Sequence, residues 1–91
     1  MRPNRLKSHV RYRLKDESPA VHIGKVGLTT QVLAEIDKQL EQKKMLKIRI
    51  LTSAMQQDNA KTIAARVAEQ TNAILVEVRG HIFMLYRRHK K

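Results

Sequence analysis

Two glycines three residues apart, Gly24 and Gly27, enclose Lys25 and Val26 just ahead of a segment with helical periodicity. A strand-to-helix turn of this kind leaves backbone N–H groups unpaired at the positive end of a helix dipole, a natural seat for a phosphate. Without side chains at Gly24 and Gly27, a sugar-phosphate chain can approach the backbone closely, and Lys25 adds charge at the tip. RNA modules that clamp backbone with a G-x-x-G loop use this chemistry. Thr29 stands where its hydroxyl can cap the first turn of the helix that follows. Glycines at such a turn can also serve only positive φ angles, so the meaning of the loop depends on what surrounds it.

What surrounds it is positive. Nineteen Lys and Arg against eight Asp and Glu give a net charge of +11. The isoelectric point near 10.6 exceeds the value of about 9 that marks nucleic-acid-binding domains. Self-repulsion on this scale is relieved by a polyanionic partner. Arg2, Arg5, Lys7, Arg11, Arg13 and Lys15 precede any acid, and the chain closes on Arg87-Arg88-His89-Lys90-Lys91. The expected phosphate contacts are Gly24, Lys25, Val26, Gly27 and Thr29 in the loop, with Arg2, Arg5 and Arg11 near the start and an Arg79, Arg87 and Arg88 cluster near the end.

Other chemistries lack their residues. There is no cysteine, hence no disulfide, thiolate metal site or cysteine nucleophile, and the cytoplasm is the expected compartment. His9, His22, His81 and His89 show no metal-ligand spacing. Acids are scattered, and neither Ser18 nor Ser53 sits in a glycine-rich elbow. No catalytic residue, metal or cofactor is expected, and apolar runs are too short for a membrane span. Tyr12, Phe83 and Tyr86 are the only aromatic residues, too few for a base-stacking sheet. Recognition should rest on phosphates, sugars and shape.

The loop needs a scaffold, and 91 residues suffice for one domain, 1–91, of α/β (α+β) class. Leu6, Val10 and Leu14, spaced by four, predict a basic amphipathic helix over Pro3 to Leu14, broken by Asp16-Glu17-Ser18-Pro19. Ala20 to Ile23 reads as a strand, and Leu28, Val32, Leu33, Ile36 and Leu40 as a helix reaching Lys43 or Lys44. Met45 to Leu51 alternates, with Leu46, Ile48 and Ile50 on one face and Lys47 and Arg49 on the other. That pattern predicts a half-buried strand with a wet, positive face. A further helix begins at Asp58 and runs through Ala60, Ile63, Ala64, Val67 and Ala68. Ile74, Val76 and Val78 then alternate with Leu75, Glu77 and Arg79, and Ile82 to Tyr86 returns as a hairpin turning at Arg79-Gly80. The predicted order is α-β-α-β-α-β-β, with a four-stranded mixed sheet.

Pro19 to Thr29, Val32 to Ile36, the strand around Leu46 to Arg49, Thr71-Asn72-Ala73, Gly80 and Leu85-Tyr86-Arg87-Arg88 together resemble the CRM domain, named for chloroplast RNA splicing and ribosome maturation, in its stand-alone YhbY-like form. The resemblance implies a fold similar to the C-terminal domain of bacterial translation initiation factor three. It also implies RNA binding through the loop that carries Gly24, Lys25 and Gly27, with ribosomal RNA or precursors of the large ribosomal subunit as partners. Where that family usually has a small alanine and a histidine-rich or basic stretch before the proline, this chain has Leu14 and then Asp16 and Glu17. A second reading is an Alba-like protein that coats nucleic acid as a dimer, which a preference for long DNA duplexes would distinguish.

Overall fold

The computed structural model describes residues 3–55 and 58–88. The elements are α1 (Pro3–Leu14), β1 (Val21–Ile23), α2 (Thr30–Lys43), β2 (Met45–Ile50), a short 3-10 helix (Thr52–Met55), α3 (Ala60–Gln70), β3 (Ile74–Arg79) and β4 (Ile82–Tyr86). The strands lie in the order β1-β2-β4-β3. β1 pairs with β2 in parallel, and β4 pairs antiparallel with both β2 and β3. The predicted sequence of elements and the mixed sheet are both present.

Local chemistry sets the helix ends. Thr29 caps α2, its hydroxyl accepting from the Val32 amide at 3.1 Å. For α3 the cap is Asn59, whose side chain accepts from the Thr62 amide at 2.8 Å, one residue beyond the expected start at Asp58. Either side chain can accept from the first turn, but Asp58 is engaged by Arg66 at 3.3 Å. The hairpin turn is likewise displaced by one residue. Arg79 pairs directly with Ile82, leaving Gly80 and His81 as the two turn residues, with Gly80 at φ +58°.

The main core lies between the sheet and the pair α2 and α3. Leu46, Ile48 and Ile50 of β2 and Phe83 and Leu85 of β4 meet Ile36 and Leu40 of α2 and Ile63, Ala64 and Val67 of α3. The small alanines let α3 lie close to the strands.

The opposite face departs from expectation. It is not uniformly wet, because α1 packs on it: Val10 and Leu14 are buried with Val76 and Met84, flanked by Leu6, Met45 and Tyr86. The physical reason is the apolar stripe of α1, which finds the first face already filled. A β-bulge makes the seat. Leu75 pairs with Leu85 and Glu77 with Met84, so one extra residue interrupts the ladder. Val76 is thereby turned toward α1 while Val78 joins the main core, and the shared face expected for Val76 and Val78 is lost.

Lys47 was expected to be solvated. Its ammonium instead donates to the carbonyl oxygens of Leu14 at 3.1 Å, Lys15 at 3.3 Å and Glu17 at 2.9 Å. Leu14 closes α1 at the negative end of its dipole, its carbonyl also accepting from the Glu17 amide at 3.0 Å, and Lys15 and Glu17 lie in the turn that follows. Lys47→Met, which keeps the stem and removes the charge, is expected to lower the unfolding free energy by about 2 kcal/mol. Urea denaturation should record this, with amide exchange accelerated in α1 and not in α3.

Candidate nucleic-acid interface

The glycine loop joins the C-terminal end of β1 to the start of α2. The Gly27 amide donates to the Gly24 carbonyl at 2.8 Å, closing a four-residue turn with Lys25 and Val26 at its corners. Both are exposed, Val26 at 79%. An apolar side chain held so openly contributes nothing to the core. Among the described residues Lys25 has no ion-pair partner, and the amides of Thr30 and Gln31 in the first turn of α2 have no acceptor.

The two glycines answer differently to the turn-only explanation. Gly27 has φ +75°, a backbone conformation that disfavours any side chain. Gly24 is not in that region, and a Cβ built on it would meet only Leu51 Cδ1 at 3.8 Å, an ordinary contact. Nothing in the fold demands glycine at 24. What a side chain there would obstruct is an approach from outside.

Beside Gly27 opens a recess of about 210 Å³ bordered by Leu28, Ala54, Asp58 and Arg66. The Asp58 and Arg66 side chains pair at 3.3 Å and are 40% and 51% exposed, so the guanidinium keeps donors for a further anion. Sequence reasoning missed Arg66. It is one cation on the outer side of α3, and only the recess that the start of α3 shares with the loop brings it near.

The remaining predicted cations fall into separate groups. Arg2 lies outside the described residues. Arg5 is exposed on α1 without an ion-pair partner among the described residues. Arg11 and Arg79 share Glu77, at 3.2 Å and 3.6 Å, and with Lys15 and Lys47 they surround a recess of about 200 Å³. Arg79, Arg87 and Arg88 do not form the single cluster expected of them. Arg79 ends β3 beside the hairpin turn, whereas Arg87 follows β4, and its amide donates to the Lys44 carbonyl at 2.7 Å. The five-residue length of β4 separates the two by about 15 Å.

Arg87 is also committed to the fold. Its side chain is 16% exposed and pairs with Asp37 and Glu41 of α2. It donates further to the carbonyl oxygens of Thr71 at 2.8 Å and Asp37 at 3.0 Å. Arg88 is exposed beside it.

No group of three or more potential metal ligands occurs among the described residues, and no helix there is long and apolar enough to cross a membrane. The geometry defines a basic α/β module whose open features are a glycine turn at a helix start, with Lys25 unpaired among the described residues at its tip and Arg66 beside it. The chain belongs to the CRS1/YhbY (CRM) domain family, whose model matches residues 3–87, a family of binding modules and not of enzymes.

A Methanocaldococcus jannaschii protein named as a probable RNA-binding protein is 29% identical over 83 residues, 91% of this chain. The chain spans 61% of that relative's length. A Haemophilus influenzae RNA-binding protein is 33% identical over 70 residues, covering 77% of this chain and 69% of that one. The solution structure of a hypothetical Staphylococcus aureus protein, proposed to bind RNA, superposes with a TM-score of 0.80 at 27% identity, covering 100% of this chain and 93% of that one.

The asymmetry between the glycines has a direct check. Gly27→Ala is expected to lower stability by about 1–2 kcal/mol through its left-handed backbone. Gly24→Ala should stay within about 0.5 kcal/mol of the parent, both read from urea unfolding midpoints.

Proposed function

We propose that this protein binds structured RNA by its sugar-phosphate backbone, through the turn Gly24-Lys25-Val26-Gly27 and the basic surface around it, and acts in assembly of the large ribosomal subunit. The observation that carries the reading is Gly24, a glycine that neither backbone angle nor packing requires, in a turn that exposes Lys25 and Val26. With Thr29 capping α2, the turn presents the amides of Thr30 and Gln31 to an incoming phosphate. Lys25 supplies the charge at the tip, and Arg66 reaches the flank of the same turn. Relatives named as RNA-binding proteins support the choice of nucleic acid. The resemblance to stand-alone YhbY-like proteins supports precursor ribosomal RNA as its source.

Among the cations named from the sequence, Arg5, Arg11, Arg79 and Arg88 remain as phosphate contacts, and Arg2 is retained from sequence alone. Arg87 is assigned a structural part, since two carboxylates and two carbonyls occupy its donors. Base stacking contributes little: Phe83 is fully buried and Tyr86 packs under α1, leaving Tyr12 as the exposed ring.

Contact with about five phosphates predicts a salt slope near −3.5 and about a 100-fold loss of affinity between about 50 and 200 mM salt. Filter binding with an RNA stem-loop measures both. Lys25→Asp and Gly24→Asp should each weaken binding at least about tenfold without changing the unfolding free energy by more than about 0.5 kcal/mol. Unchanged affinity in both variants would remove the loop from the interface. Crosslinking in cells should recover precursor large-subunit RNA above transfer and messenger RNA; recovery without that enrichment would refute the ribosomal assignment.

A further inference from the structure

The register of the sheet aligns four residues from four strands in one row. His22 on β1 pairs with Arg49 on β2, Arg49 with Ile82 on β4, and Ile82 with Arg79 on β3. Directly paired residues project from the same face. This is the face that carries α1, since the neighbours Ile23, Ile48, Ile50, Val78 and Phe83 all belong to the opposite core. Yet α1 does not cover the row. His22, Arg49 and Arg79 are exposed and Ile82 is half-buried, while the next rows inward, holding Met84 and Tyr86, pack against α1.

The uncovered row therefore consists of a histidine and two arginines with an apolar side chain between the arginines. The Arg49 side chain has no hydrogen bond or ion pair among the described residues, and that of Arg79 is 84% exposed despite its contact with Glu77. The recess walled by Arg11, Lys15 and Lys47 adjoins this row, with Ile82 and Arg79 on its rim. At an inter-strand spacing of about 4.8 Å the row is about 14 Å long. It also reaches the end of the sheet that carries the glycine loop: His22 is three residues before Lys25, a reach of at most about 11 Å.

We propose that this row is a second RNA-backbone surface, on which Arg49 and Arg79 hold phosphates on either side of a sugar or base edge resting on Ile82. It rests on the reading that the glycine loop holds RNA, and extends that contact from the loop across the sheet end. Charge selects the occupant. Two accessible guanidiniums flanking an apolar spot match alternating phosphate and sugar, whereas an apolar peptide would leave both without acceptors. The fixed positions on adjacent strands make the surface a ruler for backbone direction.

The test uses the full chain and a labelled RNA stem-loop with a single-stranded tail. The double variant Arg49→Gln, Arg79→Gln should raise Kd about tenfold at physiological salt and flatten the salt slope by about 1.4, two phosphates' worth. The pair Lys38→Gln, Lys43→Gln on α2 removes the same charge away from the row. At a screening length of about 8 Å it should change Kd less than about twofold.

Equal losses from the two pairs would overturn the proposal, leaving net charge as the cause. So would an equal loss toward polyglutamate, which carries charge without sugar. If the row variant binds like the parent while Lys25→Asp binds weakly, the row is overturned and the loop stands. If the row variant weakens binding and neither Lys25→Asp nor Gly24→Asp does, the row stands and the loop reading fails.

Discussion

Phe83, Met84 and Leu85 are buried in succession on β4, an inner strand of the sheet. Successive strand residues point to opposite faces, so this run obliges both faces of the sheet to be covered. Three helices must meet that demand. α2 and α3 take the face of Phe83 and Leu85, and α1 takes the face of Met84. At about 1.5 Å per residue the 12 residues of α1 span about 18 Å, and they leave the sheet end with Arg49 and Arg79 open. The bulge at Val76 and the ammonium of Lys47 both serve the docking of α1, one by supplying an apolar contact and the other by donating to the carbonyls of Leu14 and of the turn that follows it.

The acids are placed as economically as the helices. Asp37, Glu41, Asp58 and Glu77 each pair with an arginine that joins distant parts of the chain or borders a recess. Glu77 draws Arg11 of α1 and Arg79 of β3 together, which tethers α1 to the sheet and gathers positive charge at its open end. Partly exposed pairs of this kind add little stability singly. Their larger effect is to fix where cations stand, while Lys25, Arg49 and Arg5 have no ion-pair partner among the described residues.

Periodicity made much of the fold legible. The stripe Leu6, Val10 and Leu14, the cap at Thr29 and the alternation of β2 each state a local preference that the tertiary structure keeps. The seat of α1 was not legible, because a stripe says that a face is buried and not against what. The bulge at Val76 was hidden for a related reason: alternation over Ile74 to Arg79 reads the same with or without an inserted residue until the partner strand is known. The glycine turn was visible from spacing alone. The division of its two glycines into one required by backbone and one free of any such need came only with φ angles and neighbours. Arg87 looked like a surface cation since its two carboxylate partners lie about 50 positions earlier, and Arg66 looked idle because nothing local links α3 to the loop.

The anchorage of Arg87 also fixes the polarity of the molecule. By holding α2 and the Thr71 carbonyl at the end of the sheet where β2 begins, it makes the chain leave β4 at a defined point, six strand residues from the end that carries the glycine turn. At about 3.4 Å per residue this is nearly 20 Å. A fluorophore, an affinity tag or another domain joined after Arg88 would therefore start far from the glycine turn, with Arg88 as the nearest of the proposed contacts.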